Sequence, residues 1–207
     1  MGNRRSRCYK RAVDPALADD PWPLFELWFS EALAVQRANA HAFTLATVGL
    51  DGRPSARVVL YKGRSEAGFR FFTNYQSRKG QELAELPFAA AVFYWPDLHR
   101  QVRFEGSVER LSEVESDAYF ASRPRDSQLG AWASPQSQPL EPGMLERRLE
   151  AERLRFEGGA VARPAHWGGY RLTPDTVEFW LPRDHRLNER WLFSRDGGGW
   201  QRRALGP

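Results

Sequence analysis

Apolar and polar positions repeat with two different periods along this chain, and the change of period divides it. DPWPLFELWFSEALAVQRAN sets Leu24, Leu27, Trp28 and Val35 at helical spacing behind Asp20 as an N-cap and an early Pro21, which predicts an amphipathic helix. The period then shortens. AFTLATVGLDGRPSARVVLYK carries two β-rich runs around Asp51-Gly52, a hairpin signal because glycine tolerates positive φ. FRFFTN follows a turn at Glu66-Ala67-Gly68 as a third strand, SRKGQELAELP predicts a short helix opened by Ser77 and closed before Pro87, and AAAVFYW is a continuous apolar strand. In QVRFEGSVERL, Val102, Phe104 and Val108 face one way and Arg103, Glu105 and Ser107 the other, as in a half-buried antiparallel strand. Residues 112–156 read as mostly helical with an interruption at Ser134–Pro142. WGGYRLT, TVEFWLP, RWLFS and GWQRRAL return to strands, with a turn at Gly197-Gly198-Gly199.

No βαβ alternation and no GxGxxG after a strand appear, which argues against a doubly wound dinucleotide-binding sheet. The expected fold is mainly β with flanking helices, barrel-like, in one domain over residues 20–207. A basic arm, 1–19, without periodicity, reads as mobile. The 207 residues, 42% hydrophobic and 27% charged, have a globular composition and suit a single core. No apolar run is long enough to span a bilayer, and the basic start has no apolar segment behind it, so a cytoplasmic location is expected. The lone Cys8 cannot close an internal disulfide, and His41, His99, His166 and His185 lack zinc-ligand spacing, so no metal is expected. The formal charge of +4 comes from basic residues interleaved with acidic ones, as in ERRLEAERLRFE, which reads as a mixed solvated surface and not a nucleic-acid footprint. Of 30 basic residues only Lys10, Lys62 and Lys79 are lysines. An ammonium is a compact point charge where a guanidinium is a fork, so a lysine in a strand or at a helix start invites a specific explanation.

Four constellations carry candidate chemistry. Arg57 and Lys62 fall on opposite faces if 55–62 is one regular strand, and read either as ligand contacts or as edge charges. Ser77-Arg78-Lys79-Gly80 brings a hydroxyl, two cations and free N–H groups to a helix start, which suits a phosphate or, equally, a solvated turn. Tyr119 and Arg123 are spaced i, i+4, with Pro124 ending that helix and Ser127 starting the next; a second phosphate-sized site and simple capping both fit. Arg186, Asn188 and Arg190 alternate on an expected extended segment near Trp180. No nucleophile–base pair stands out. Two anion sites without nucleophile or metal suit an enzyme whose chemistry is carried by a phosphorylated cofactor.

Taken together, RVVLYK (57–62), FFTNYQSRKG (71–80), RQV (100–102), YFASRPRDSQLGAWAS with QS (119–137), WGGYR (167–171) and EFW with HRLNER (178–190) resemble the FMN-dependent pyridoxamine 5'-phosphate oxidase family, in the same order, from about Asp20 to Pro207. The resemblance implies a split β-barrel homodimer with FMN in two interface clefts. It also implies oxidation of pyridoxamine or pyridoxine 5'-phosphate to pyridoxal 5'-phosphate, with dioxygen as acceptor and release of hydrogen peroxide. It matches Arg57, Arg78 and Lys79 to cofactor phosphate and ribityl contacts. Val58, Lys62, Phe72, Thr73, Gln101, Gln136, Ser137, Trp180 and Arg190 match further flavin-site positions, some donated by the second subunit. Lys62, Tyr119, Arg123 and Ser127 match the substrate-phosphate cluster, and Arg186, the expected catalytic residue, matches the arginine against the substrate ring. Asn188 stands in the substrate pocket where a histidine is usual, Phe72 where a tyrosine is common, and Ala204 where an arginine usually precedes the leucine. Arg5, Arg7 or Tyr9 of the arm are candidates for a lid. The alternatives are a related flavin oxidase acting on a phenazine precursor, which would not need the phosphate cluster, and a flavin-binding or nucleic-acid-binding module without turnover.

Overall fold

In the computed structural model, which describes residues 14–36 and 39–207, the Asp51-Gly52 signal makes the expected hairpin. Strands β1 (Ala42–Val48) and β2 (Pro54–Leu60) pair antiparallel from Ala42↔Leu60 to Val48↔Pro54, with Gly52 at φ +74° in the turn. β3 (Phe69–Asn74), β4 (Phe88–Trp95) and β5 (Arg100–Arg110) follow as predicted, β4 lying between β1 and β5.

WGGYRLT and TVEFWLP are not two strands. They form one 15-residue strand, β6 (Trp167–Leu181), which pairs with β3 and β5 and then with β7 (Glu189–Asp196). Pro174 has no N–H to give a ladder, and the strand survives it through a bulge: Gly106 faces Pro174, Glu105 faces Thr176, and Asp175 is the extra residue. β8 (Gly199–Leu205) completes the sheet, in the order β2-β1-β4-β5-β6-β7-β8. Beyond β2, Lys62 N–H donates to Arg70 (2.8 Å) and Arg70 N–H to Gly63 (2.9 Å), so the chain after β2 joins β3 and six strands ring a common interior.

That interior is aromatic. Phe43, Phe69, Phe71, Phe93 and Phe104 are fully buried, each worth about 1.5–3 kcal/mol of burial. Helix α1 (Pro21–Gln36) starts as expected, with Trp22 N–H donating to Asp20 at 2.9 Å. It plugs the interior with Phe25, whose ring lies 5.1 Å from Phe104 and 5.2 Å from Phe93. The expected stripe needs one correction: Val35 is exposed, and Trp22, Leu24, Phe25, Trp28 and Ala32 form the buried face.

Helices α2 (Arg78–Glu85), α3 (Glu113–Ala121), α4 (Arg125–Ala133) and α5 (Met144–Arg155) flank the sheet, and α3–α5 share a smaller core around Phe120, Leu129 and Trp167. Residues 14–18 form a turn whose Ala18 is buried and accepts from Arg202. Cys8, Lys10 and the candidate lid residues Arg5, Arg7 and Tyr9 lie outside the described residues. Among the described residues no helix is long and apolar enough to cross a membrane, and no group of three His, Cys, Asp or Glu side chains could hold a metal ion.

Candidate functional site

β2 stops at Leu60, short of the strand expected over 55–62. Tyr61 N–H turns to His41 and Lys62 N–H to Arg70, so strict alternation ends before Lys62. The expectation of opposite faces is thereby corrected: Arg57 and Lys62 line one cleft of about 970 Å3. Val58, Phe72, Thr73, Gln136 and Ser137 line it too, as do Arg78, Lys79, Tyr119, Arg123 and Ser127. Five cations, Arg57, Lys62, Arg78, Lys79 and Arg123, face this space, and among the described residues no Asp or Glu lines it.

Three of these cations gather where β2 meets the start of α2. Ser77 caps the helix, accepting from Gly80 N–H, and a Cβ on Gly80 would come within 2.2 Å of the Tyr75 carbonyl, so this close seat needs glycine. Lys79 is buried, and its ammonium donates to Thr73 (3.1 Å), Ser77 (3.1 Å) and Gln136 (3.0 Å). Burial, aided by the Arg57 charge and opposed by Glu82, lowers its pKa to about 8.

The hub of this corner is Glu82, which sequence reasoning missed. Its buried carboxylate accepts from Thr47, from Ser55 at 2.6 Å, from Arg78 Nε at 2.8 Å and from Arg57 at 3.3 Å. Burial alone would raise its pKa. Hydrogen bonds from Ser55, Thr47 and Arg78, with the Arg57 charge, outweigh that and hold it at about 2. The i, i+4 spacing of Arg78 and Glu82 was a readable signal, whereas the cross-strand pair Thr47↔Ser55 that completes the cradle was not.

Elsewhere along the cleft the cations are held differently. Tyr119 and Arg123 do not share a helix: α3 ends at Ala121, Arg123 follows in a turn, and Ser127 sits inside α4, so the expected helical pairing is corrected although both residues reach the cleft. Lys62 Nζ lies 5.9 Å above the Tyr119 ring. The Arg123 guanidinium lies 4.5 Å from the Trp167 ring and 5.6 Å from Phe120. Its Nη1 is buried without a hydrogen-bond partner among the described residues, and burial lowers its pKa. Phe72 stacks on Tyr119 at 3.8 Å and on Trp167 at 5.6 Å, giving the cleft an aromatic wall.

The remaining five expected site residues do not line this cleft. Gln101, Trp180 and Arg190 form one register row across β5, β6 and β7, where Arg190 donates to the buried Glu178 (2.8 Å) and to Gly206 (3.0 Å). Arg186 and Asn188 lie in the β6–β7 connection. That segment is not extended: Asp184–Arg186 is a tight turn with His185 at φ 58° and Arg186 at φ 60°, and Asn188 accepts from Arg183 N–H at 3.3 Å. Ser137, in the cleft, is also left-handed at φ 70°. Non-glycine residues in this region carry strain, which gathers at binding sites.

Known proteins share this architecture. Residues 29–158 match the family model described as pyridoxamine 5'-phosphate oxidase, and residues 167–207 match the pyridoxine 5'-phosphate oxidase C-terminal dimerisation region. Pyridoxine/pyridoxamine 5'-phosphate oxidases of Burkholderia multivorans (53% identical, covering 96% of this chain and 95% of that one) and Rubrobacter xylanophilus (51%, covering 100% and 95%) are similar along their length. Among solved structures, PhzG from Burkholderia lata, in complex with tetrahydrophenazine-1-carboxylic acid, superposes with a TM-score of 0.87 at 32% identity, covering 95% of this chain and 96% of that one. A family model over residues 29–158 and identity above 50% along nearly the full chain agree: this chain is a member of the pyridoxamine 5'-phosphate oxidase family.

Proposed function

We propose that this protein binds FMN and oxidises pyridoxamine or pyridoxine 5'-phosphate to pyridoxal 5'-phosphate, with dioxygen accepting the electrons and hydrogen peroxide released. The observation that carries this reading is a cleft faced by five cations in two groups and lined by no carboxylate. The donor set fits a cofactor phosphate. Arg57, Arg78 and Lys79 against the single charge of Glu82 leave two net positive charges at a helix start, the complement of a phosphate dianion. Thr73, Gln136 and Ser137, with Val58 and Phe72, are the neighbours that would hold the rest of the flavin. When bound, FMN supplies the electron sink for the two-electron oxidation.

Lys62, Tyr119, Arg123 and Ser127 receive the substrate phosphate, and the aromatic wall excludes water from the ring. Gln101, Trp180 and Arg190, with Arg186 and Asn188, serve the cleft of a second subunit in a split-barrel homodimer. Their position outside this chain's own cleft and the match to a dimerisation region support that arrangement. Arg186 orients the substrate ring, which is the main requirement for transfer to a bound cofactor.

A second reading, a related oxidase acting on a phenazine precursor, is favoured by the likeness to PhzG. Arg123 and Lys62 bear on the choice, since a phosphate dianion is a closer match to two cations than the single carboxylate of a phenazine-type acid. The deciding experiment is turnover of pyridoxamine 5'-phosphate by the yellow, FMN-loaded protein, followed by peroxide release. A loaded protein inert on both phosphorylated vitamers would overturn the proposal.

A further inference from the structure

Arg123 has an unusual anchor for a half-buried cation. Elsewhere in the cleft guanidinium groups are fixed by a carboxylate, as Arg57 and Arg78 are by Glu82. Arg123 has a buried Nη1 with no hydrogen-bond partner among the described residues and rests on the Trp167 ring at 4.5 Å. Trp167 is itself held through both backbone and ring. Its backbone N–H donates to Pro164 (3.0 Å), and its carbonyl accepts from Arg163 (2.8 Å), whose Nε donates to Asp117 (2.6 Å). Its ring is clamped edge-on by Phe120 at 5.2 Å and face-on by Phe72 at 5.6 Å.

We infer that Trp167 is a positioning residue: its indole face aims the Arg123 guanidinium into the cleft and thereby sets the selectivity for a phosphorylated over an unphosphorylated ring. The physical reason lies in what a π face does not do. A carboxylate anchor consumes N–H donors and neutralises charge, whereas a ring quadrupole attracts the cation and leaves both its charge and its edge donors for the ligand. The inference rests on the reading that Arg123 meets a substrate phosphate.

The test is binding of two inert ring analogues to the FMN-loaded protein, 4'-deoxypyridoxine 5'-phosphate and 4'-deoxypyridoxine, measured by equilibrium dialysis. Wild type, Trp167→Phe and Trp167→Leu are compared, each also in an Arg123→Ala background, with FMN content and thermal midpoint recorded alongside. Trp167→Leu is expected to weaken the phosphorylated analogue about tenfold, the worth of a partly desolvated cation–π contact. The unphosphorylated analogue should change less than about twofold. Trp167→Phe, with a smaller π face, should fall between, and it carries the same comparison if the leucine variant does not fold. Neither substitution should add a loss when Arg123 is already alanine. Equal weakening of both analogues, or a loss that persists without Arg123, would make Trp167 a plain wall and overturn the inference while leaving the oxidase reading intact. A wild type that holds both analogues equally well would instead remove the substrate-phosphate assignment, and this inference with it.

Discussion

Two groups of cations face the same cleft and are held by opposite means. Arg57 and Arg78 are tied to the buried Glu82, and Lys79 to three neutral oxygens, in a corner where each cation has at least one hydrogen-bonded protein partner. Arg123 and Lys62 lie against aromatic rings, with no carboxylate lining the cleft. The difference separates rigidity from appetite. A hydrogen-bonded cradle is ready before its ligand arrives and suits a group that stays. A cation on a ring is under-satisfied until an anion comes, which suits a group that is exchanged at every turnover.

Removing the under-satisfied cation should have the largest effect. Arg123→Ala is expected to raise KM for pyridoxamine 5'-phosphate by about tenfold to a hundredfold, from about 1.5–3 kcal/mol of charged hydrogen bonding, with FMN content unchanged. Loss of flavin with substrate affinity intact would mean that the two groups have been assigned the wrong way round. Arg78→Ala should do the reverse. Its side chain is more than half exposed and shares its Nε with Glu82, so FMN affinity should fall by only about tenfold, read by quenching of flavin fluorescence, with KM little altered.

Lys79 sharpens the contrast through pH. Its pKa of about 8 means that the apo-protein loses this charge as pH rises through that value. FMN binding should therefore weaken above pH 8 by up to about tenfold per unit and be accompanied by proton uptake, measurable by calorimetry in buffers of different ionisation enthalpy. Lys79→Arg should abolish the uptake. The last effect, on stability and not on binding, concerns Glu82. A carboxyl held at about 2 in the fold, against an ordinary value of 4.5, adds stability that is present above 4.5 and is lost as pH falls toward 2. Glu82→Gln should flatten acid denaturation across that interval, and an unchanged slope would show that the carboxylate does not carry the corner.

How much of this was legible follows from how local each cause is. The Ser77 cap, the Asp51-Gly52 hairpin and the alternation of β5 depend on neighbours in sequence, and all three appear as expected. The continuity of β6 across Pro174 depends on a bulge opposite Gly106, and the turn at Lys62 on a hydrogen bond to Arg70; neither leaves a trace in the local pattern. The cleft residues could be gathered from motif order, but not the manner in which each is held. Glu82 sits in a helix as an ordinary acidic residue until Thr47 and Ser55 come across from the sheet. Trp167 looks like a strand-starting core aromatic until Arg123 folds back over it past the end of α3.

Strand β6 acts as a ruler with a mark at each end. Trp167, at its first position, lies beneath Arg123; Trp180, near its last, stands in the row with Gln101 and Arg190. The intervening path is roughly 40 Å at about 3.3 Å per residue. Its length is adjusted at one irregular point, the bulge at Pro174-Asp175. Because Asp175 is the extra residue, deleting it would leave Pro174 facing Gly106 and Thr176 facing Glu105 in plain alternation, with Val177 and Phe179 still in the core. A one-residue slip beyond a bulge left in place would instead turn every later side chain to the other face, taking Phe179 out of the core and Trp180 inward. The bulge is thus the one place on the strand where a letter can be dropped without the far mark being misread.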